Sequence, residues 1–78
     1  MAGHGATAKI LVWWDIESCP VPESSDPHAI ALNIHSALLH MNYRGPVSIT
    51  AYGDTSRIPD SVLHALSSTG IYLNHVPA

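Results

Sequence analysis

Two acidic residues, Asp15 and Glu17, close an apolar run, Ile10-Leu11-Val12-Trp13-Trp14. Five consecutive apolar residues, β-branched and aromatic among them, read as a strand buried on both faces, the kind found in parallel sheets. In open α/β sheets, chemistry gathers at the carboxyl ends of the strands. A carboxylate held there suits a hard divalent cation, which makes Asp15 the first candidate for a metal-binding or catalytic role. The plain alternative is that strands end in Asp because the chain turns there. Asp54 follows a second strand-like segment, and parallel neighbours would bring it close to Asp15. It is a candidate outer-shell carboxylate, weighed against a simple role in capping the turn before the next helix. Glu17 reads as a group that orients the loop or caps backbone N–H groups, and it is not assigned to metal.

Other reactive side chains carry weaker signals. His28 and His35 share one flank of a predicted helix and His40 lies on the other, but none has the four-residue spacing of a helical zinc pair. They read as solvated flank residues. Cys19 is the single cysteine, so no internal disulfide or cysteine zinc cluster can form. It has no evident His or Asn partner that would make it a nucleophile. Arg44 and Arg57 are candidates for phosphate contact, and Tyr43 or Tyr52 for stacking on a base. Trp13 and Trp14 read as core packing. A net charge of −3, with Lys9, Arg44 and Arg57 the only permanent cations, excludes a generic basic nucleic-acid binder. Contact with RNA would need a local site, a metal ion or a partner.

These residues need elements to position them. Asp26-Pro27 suits a helix start, Asp at the cap and Pro at the first helical position. Ile30, Ile34, Leu38 and Met41, with Ala37 between, place one helical stripe against a core. Asn42 to Pro46 closes the helix, with Gly45 available for a left-handed residue. Val47, Ile49 and Ala51 alternate with Ser48, Thr50 and Tyr52 as a second strand. Gly53 to Ser56 forms a turn, and a second helix from Pro59 carries Val62, Leu63 and Leu66 on one side. Gly70 ends it, and Ile71-Tyr72-Leu73 begins a third strand. The order is βαβαβ, for which a three-stranded parallel sheet is the default.

That order has a cost. In strand order 1-2-3, right-handed crossovers put both helices on one face, yet Ile10 to Trp14 is apolar at every position. Parallel sheets are normally covered on both faces, and an apolar open edge invites association. The expectation is the first half of a doubly wound domain, in which Trp13 or Trp14 is left exposed. Such a chain would self-associate or need a partner domain over its open face.

The segments Val12-Trp13-Trp14-Asp15-Ile16-Glu17-Ser18-Cys19-Pro20-Val21-Pro22, Met41-Asn42-Tyr43-Arg44-Gly45-Pro46 and Ala51-Tyr52-Gly53-Asp54 closely resemble, in order, the NYN domain. The nearest relatives by this resemblance are plant proteins of the limkain type, the group of meiosis regulators and mRNA-stability factors. The resemblance implies a PIN-like three-layer α/β fold with a parallel sheet, present here as its N-terminal βαβαβ portion. Residues 1–8 would be a flexible N-terminus and 9–78 the N-terminal part of the domain. It also implies Mg²⁺- or Mn²⁺-dependent endoribonuclease activity, or RNA binding, in the regulation of gene expression. The family signature Asp-x-Glu-Asn falls on Asp15, Ile16, Glu17 and Ser18. Asp15 matches the metal-binding catalytic carboxylate, and Ser18 replaces the usual Asn. Ser18, Arg44 and Arg57 are the RNA-contact candidates, with single-stranded RNA as the partner.

Only one carboxylate of the family's acidic cluster is firmly matched, so the expected nuclease activity of this chain is little or none. The other class of reading is a non-catalytic interaction module that pairs through its exposed sheet. The start, Met1 to Ala8, lacks the basic and apolar regions of a signal peptide, and no apolar stretch approaches bilayer length. The expected location is cytoplasmic, with a peroxisomal one also implied by the resemblance, although Asn74 to Ala78 matches no peroxisomal tripeptide.

Overall fold

The computed structural model describes residues 8–77, so nearly all of the segment expected to be a flexible N-terminus lies outside the described residues. Strand β1 spans Ile10–Asp15, helix α1 Ile30–His40, strand β2 Val47–Gly53, helix α2 Asp60–Ser68 and strand β3 Tyr72–His75. The strands form one parallel sheet in the order β1-β2-β3, with Ile10 opposite Val47, Asp15 opposite Tyr52, and Gly53 opposite His75. This is the α/β arrangement expected for the N-terminal portion of a PIN-like fold.

Local chemistry explains most of the boundaries. Asp26 accepts the His28 N–H at 2.9 Å and, with Pro27 behind it, starts a 3₁₀ turn over Pro27–Ala29 that leads into α1. The left-handed residue after α1 is Asn42, at φ 67°, and not Gly45 as the sequence suggested. Asn tolerates that conformation, and it lets the Tyr43 N–H reach the Leu38 carbonyl at 2.9 Å, closing the helix earlier. The expected apolar stripe is correspondingly shorter. Ile30, Ile34 and Leu38 are half-buried, but Ala37 is exposed and Met41, at the helix cap, is 59% exposed. Gly70 takes φ +91° after α2, as a helix-ending glycine should.

The core lies between the two helices and one face of the sheet. Ile16, Ile49, Ala51, Leu66 and Ile71 are buried there, with Val12, Trp14, Ile34, Val62 and Leu73 packed around them. Period-two alternation sends the other residues of β1 to the opposite face, where Leu11 is 58% and Trp13 63% exposed. The continuous apolar run therefore does not mark a strand buried on both sides among the described residues. Trp13 is the exposed tryptophan, and it meets Tyr52 edge-on with ring centroids 6.5 Å apart. Trp14 faces inward, and its indole N–H donates to the Cys19 carbonyl at 2.7 Å.

Candidate functional site

All three strands deliver their carboxyl ends to one edge of the sheet, and Asp15, Glu17 and Asp54 lie there. Asp15 is the last residue of β1. Immediately after it the chain turns. Its Oδ1 accepts the backbone N–H groups of Glu17 and Ser18, both at 3.2 Å, and Oδ2 accepts the Ser18 hydroxyl at 2.9 Å. The Cys19 N–H closes the turn on the Asp15 carbonyl at 2.9 Å. Donation from Ser18, first by its backbone and then by its hydroxyl, holds the Asp15 carboxyl below its ordinary pKa, with the Glu17 N–H adding to the effect. Asp15 thus both ends the strand and stays ionised.

Glu17 crosses to the neighbouring strand. Its Oε1 accepts the Asp54 N–H at 2.6 Å, and Oε2 lies 3.9 Å from the Arg57 guanidinium. The reading of Glu17 as a cap for backbone groups therefore holds. Gly53 makes the approach possible: a Cβ at this position would lie 2.9 Å from Glu17 Cγ and 3.2 Å from Ile16 Cγ2. Its φ of +151° is also one that side chains rarely adopt.

Asp54 follows β2 and caps a 3₁₀ turn over Thr55–Arg57. Its Oδ1 accepts the Ser56 N–H at 3.1 Å and the Ser56 hydroxyl. The Ser56 hydroxyl, with smaller contributions from the Ser56 N–H, His75 and Arg57, holds the Asp54 carboxyl below its ordinary pKa against the opposing effect of burial. His75, at the end of β3, completes the edge. Its Nδ1 accepts the Thr55 N–H at 3.1 Å and lies 2.9 Å from the Thr55 hydroxyl and 3.9 Å from Asp54 Oδ1. Acceptance from a backbone N–H places the neutral ring's proton on Nε2.

The structure brings Asp15, Ser18, Asp54 and Arg57 to one end of the sheet, with Glu17 bridging the two acidic turns. Arg44 lies at the opposite end, just before β2, where its Nε donates to Asn42 at 3.2 Å. His75 and Thr55 went unnoticed in the sequence. Their only signals were the place of Thr55 in the turn after β2 and that of His75 at the carboxyl end of β3. No group of three His, Cys, Asp or Glu side chains among the described residues converges closely enough to hold a metal ion. Asp15 already accepts three hydrogen bonds and Asp54 caps its own turn, so these residues by themselves do not make a metal centre. Their chemistry is that of an ordered acidic edge beside one exposed guanidinium. No helix among the described residues is long and apolar enough to cross a membrane. The family profile of the NYN domain matches residues 9–78. No curated protein matches the chain.

Proposed function

We propose, because this chain belongs to the NYN domain family, that it binds single-stranded RNA along the carboxyl edge of its sheet. NYN domains bind RNA in general, belong with the PIN-like nucleases and generally use divalent metals. The observation that carries the reading is the exposed Arg57 guanidinium, beside Asp15, Glu17 and Asp54, at the end of a parallel sheet where such folds place their ligands. Asp15 is the carboxylate we assign to the active-site position, with Ser18 fixing its orientation and Arg57 meeting phosphate. Mg²⁺ or Mn²⁺ is the cation this assignment favours. Since the described residues do not complete a metal centre, the reading is RNA binding with little or no turnover, and it rests on membership of the family and on the exposed Arg57, not on the carboxylates.

Within this reading, the chain belongs with the limkain-type regulators of transcript levels, in the cytoplasm or peroxisome. Residues 9–78 form the N-terminal portion of the domain. A purified chain should bind unstructured RNA and cleave it negligibly in either Mg²⁺ or Mn²⁺. Robust cleavage abolished by Asp15→Asn would overturn the assignment as a binder. A second reading has its own observation: Leu11, Trp13 and Tyr72 are all more than half exposed on the sheet face away from the helices. That face supports self-association or contact with a partner domain, and sedimentation across a concentration series tests it.

A further inference from the structure

Several hollows among the described residues are large enough to take a small ligand, two of them beside the start of α1. One, of about 350 Å³, is lined by His28 and His35 of the α1 region and by Ile71, and includes none of the acidic edge. The other, of about 370 Å³, is bounded by Ile16, Val21 and Pro22 on one side and by Arg57, Ile58 and Pro59 on the other. It therefore shares Ile16 and Arg57 with the acidic edge, and its volume falls in the range of about 300–1,000 Å³ usual for ligand sites. Glu23 and Ser25 line it as well, but its lining is mainly apolar, and the prolines add flat ring faces that lose little freedom on contact.

We propose that this cleft is a base-stacking subsite for single-stranded RNA: one base lies between Val21–Pro22 and Ile58–Pro59, and its phosphate rests on Arg57. The proposal rests on the RNA-binding reading and extends it to a position that the acidic edge does not include. Charge selects the occupant. Arg57 has its side chain 71% exposed, and its contact with Glu17 is loose at 3.9 Å, so most of its five donors remain available to a phosphate. Glu23 lines the cleft and would repel a phosphate placed inside it. The base therefore enters the apolar cleft, and the phosphate stays outside on the guanidinium. Apolar contact with a base's ring face involves no hydrogen-bond readout, so it tolerates any base.

The test measures binding of labelled oligo(A), oligo(C) and oligo(U) ribonucleotides to the whole chain across a salt series. Val21→Ser strips an apolar wall from the cleft, Pro22→Ser removes a ring face at an exposed position, and Arg57→Ala removes the cation from the rim. Val21→Ser should weaken binding roughly tenfold for every oligonucleotide with the salt slope unchanged. Pro22→Ser should weaken it several-fold in the same way, and it decides the matter should Val21→Ser fail to melt cooperatively. Arg57→Ala should lower the slope of log K against log salt by about one. If the native chain binds RNA and neither cleft variant weakens it, the subsite is overturned while RNA binding stands, whatever Arg57→Ala does. If the native chain binds no RNA at any salt, both readings fall together.

Discussion

Replacing Gly53 by Ala probes the contact on which the acidic edge depends. Two penalties act at that position. The φ of +151° is strained for any residue with a Cβ, at about 1–3 kcal/mol. The new Cβ would also stand 2.9 Å from Glu17 Cγ, a mid-chain atom rather than a flexible tip, with Ile16 Cγ2 close behind at 3.2 Å. Ile16 is buried and cannot retreat, so Glu17 must swing away and release the Asp54 N–H it holds at 2.6 Å. A charge-assisted bond contributes about 1.5–3 kcal/mol, and partial exposure of Glu17 reduces that to about 1 kcal/mol. The expected destabilisation is about 2–4 kcal/mol, or a fall in Tm of roughly 10–25 °C for a domain of this size. Differential scanning calorimetry on Gly53→Ala, Glu17→Ala and the double variant measures it. In the Glu17→Ala background the clash is absent and the bond already lost, so only the backbone strain should remain, leaving a coupling of about 1 kcal/mol. A Gly53→Ala protein that melts within 2 °C of native, or strictly additive variants, would refute the argument, where 2 °C is about the shift of a negligible perturbation.

Leu66 is the largest fully buried side chain, and Leu66→Ala should cost about 2–5 kcal/mol in chemical denaturation. Trp13→Ser, on the open sheet face, should cost only about 1 kcal/mol through the lost Tyr52 edge contact. It should also reduce any self-association seen by sedimentation; unchanged association would remove that face as the contact. Asp15, Asp26 and Asp54 all have folded-state pKa values below their ordinary ones. They therefore add stability at neutral pH that begins to fade below about pH 4 and is lost as pH falls through the lowered values. Thermal melts between neutral and acid pH should show that direction, and a rise in Tm on acidification would contradict it. Ser18→Ala should raise the Asp15 pKa toward its ordinary value without abolishing the shift, since the Ser18 backbone N–H still donates; carboxyl-carbon NMR titration reads it directly.

The fold was legible because its punctuation is strong. Asp26-Pro27 and Gly70 mark helix ends by chemistry that depends only on neighbouring residues, and alternation in Val47 to Tyr52 gives the strand its faces. Gly45 misled because it suits a left-handed turn so well. Asn42 is reached first, and once its backbone turns, the Schellman-type bond from Tyr43 leaves no role for a later glycine. The position of Asp15 followed from the end of an apolar run, but its three donors did not, since two of them are backbone groups of the turn that Asp15 itself creates. The contact between Glu17 and Asp54 joins residues 37 apart in sequence. No local pattern encodes such a pairing; it follows only once β1 and β2 are set side by side. His75 was missed for the same reason, being defined by a Thr55 it meets only in the folded sheet.

The register of the sheet also fixes when the acidic edge can exist during folding. Every strand pairing here is long-range, because Ile10 meets Val47 and Thr50 meets Tyr72 across entire helical crossovers. Loop closure must be met before either pairing returns any energy, which slows the formation of parallel sheets. A nucleus made of β2, α2 and β3 can bury Leu66 against Ile49 and Ile71, yet it contains no Asp15, no Glu17 and no wall of the cleft beyond Arg57 to Val62. Docking of β1 brings all of these at once, and Ile16 seals the core one residue beyond Asp15. The nucleus thus carries Asp54, Arg57 and the Thr55–His75 contact, and docking of β1 adds Asp15 and Glu17, completing the edge in the same step that completes the sheet.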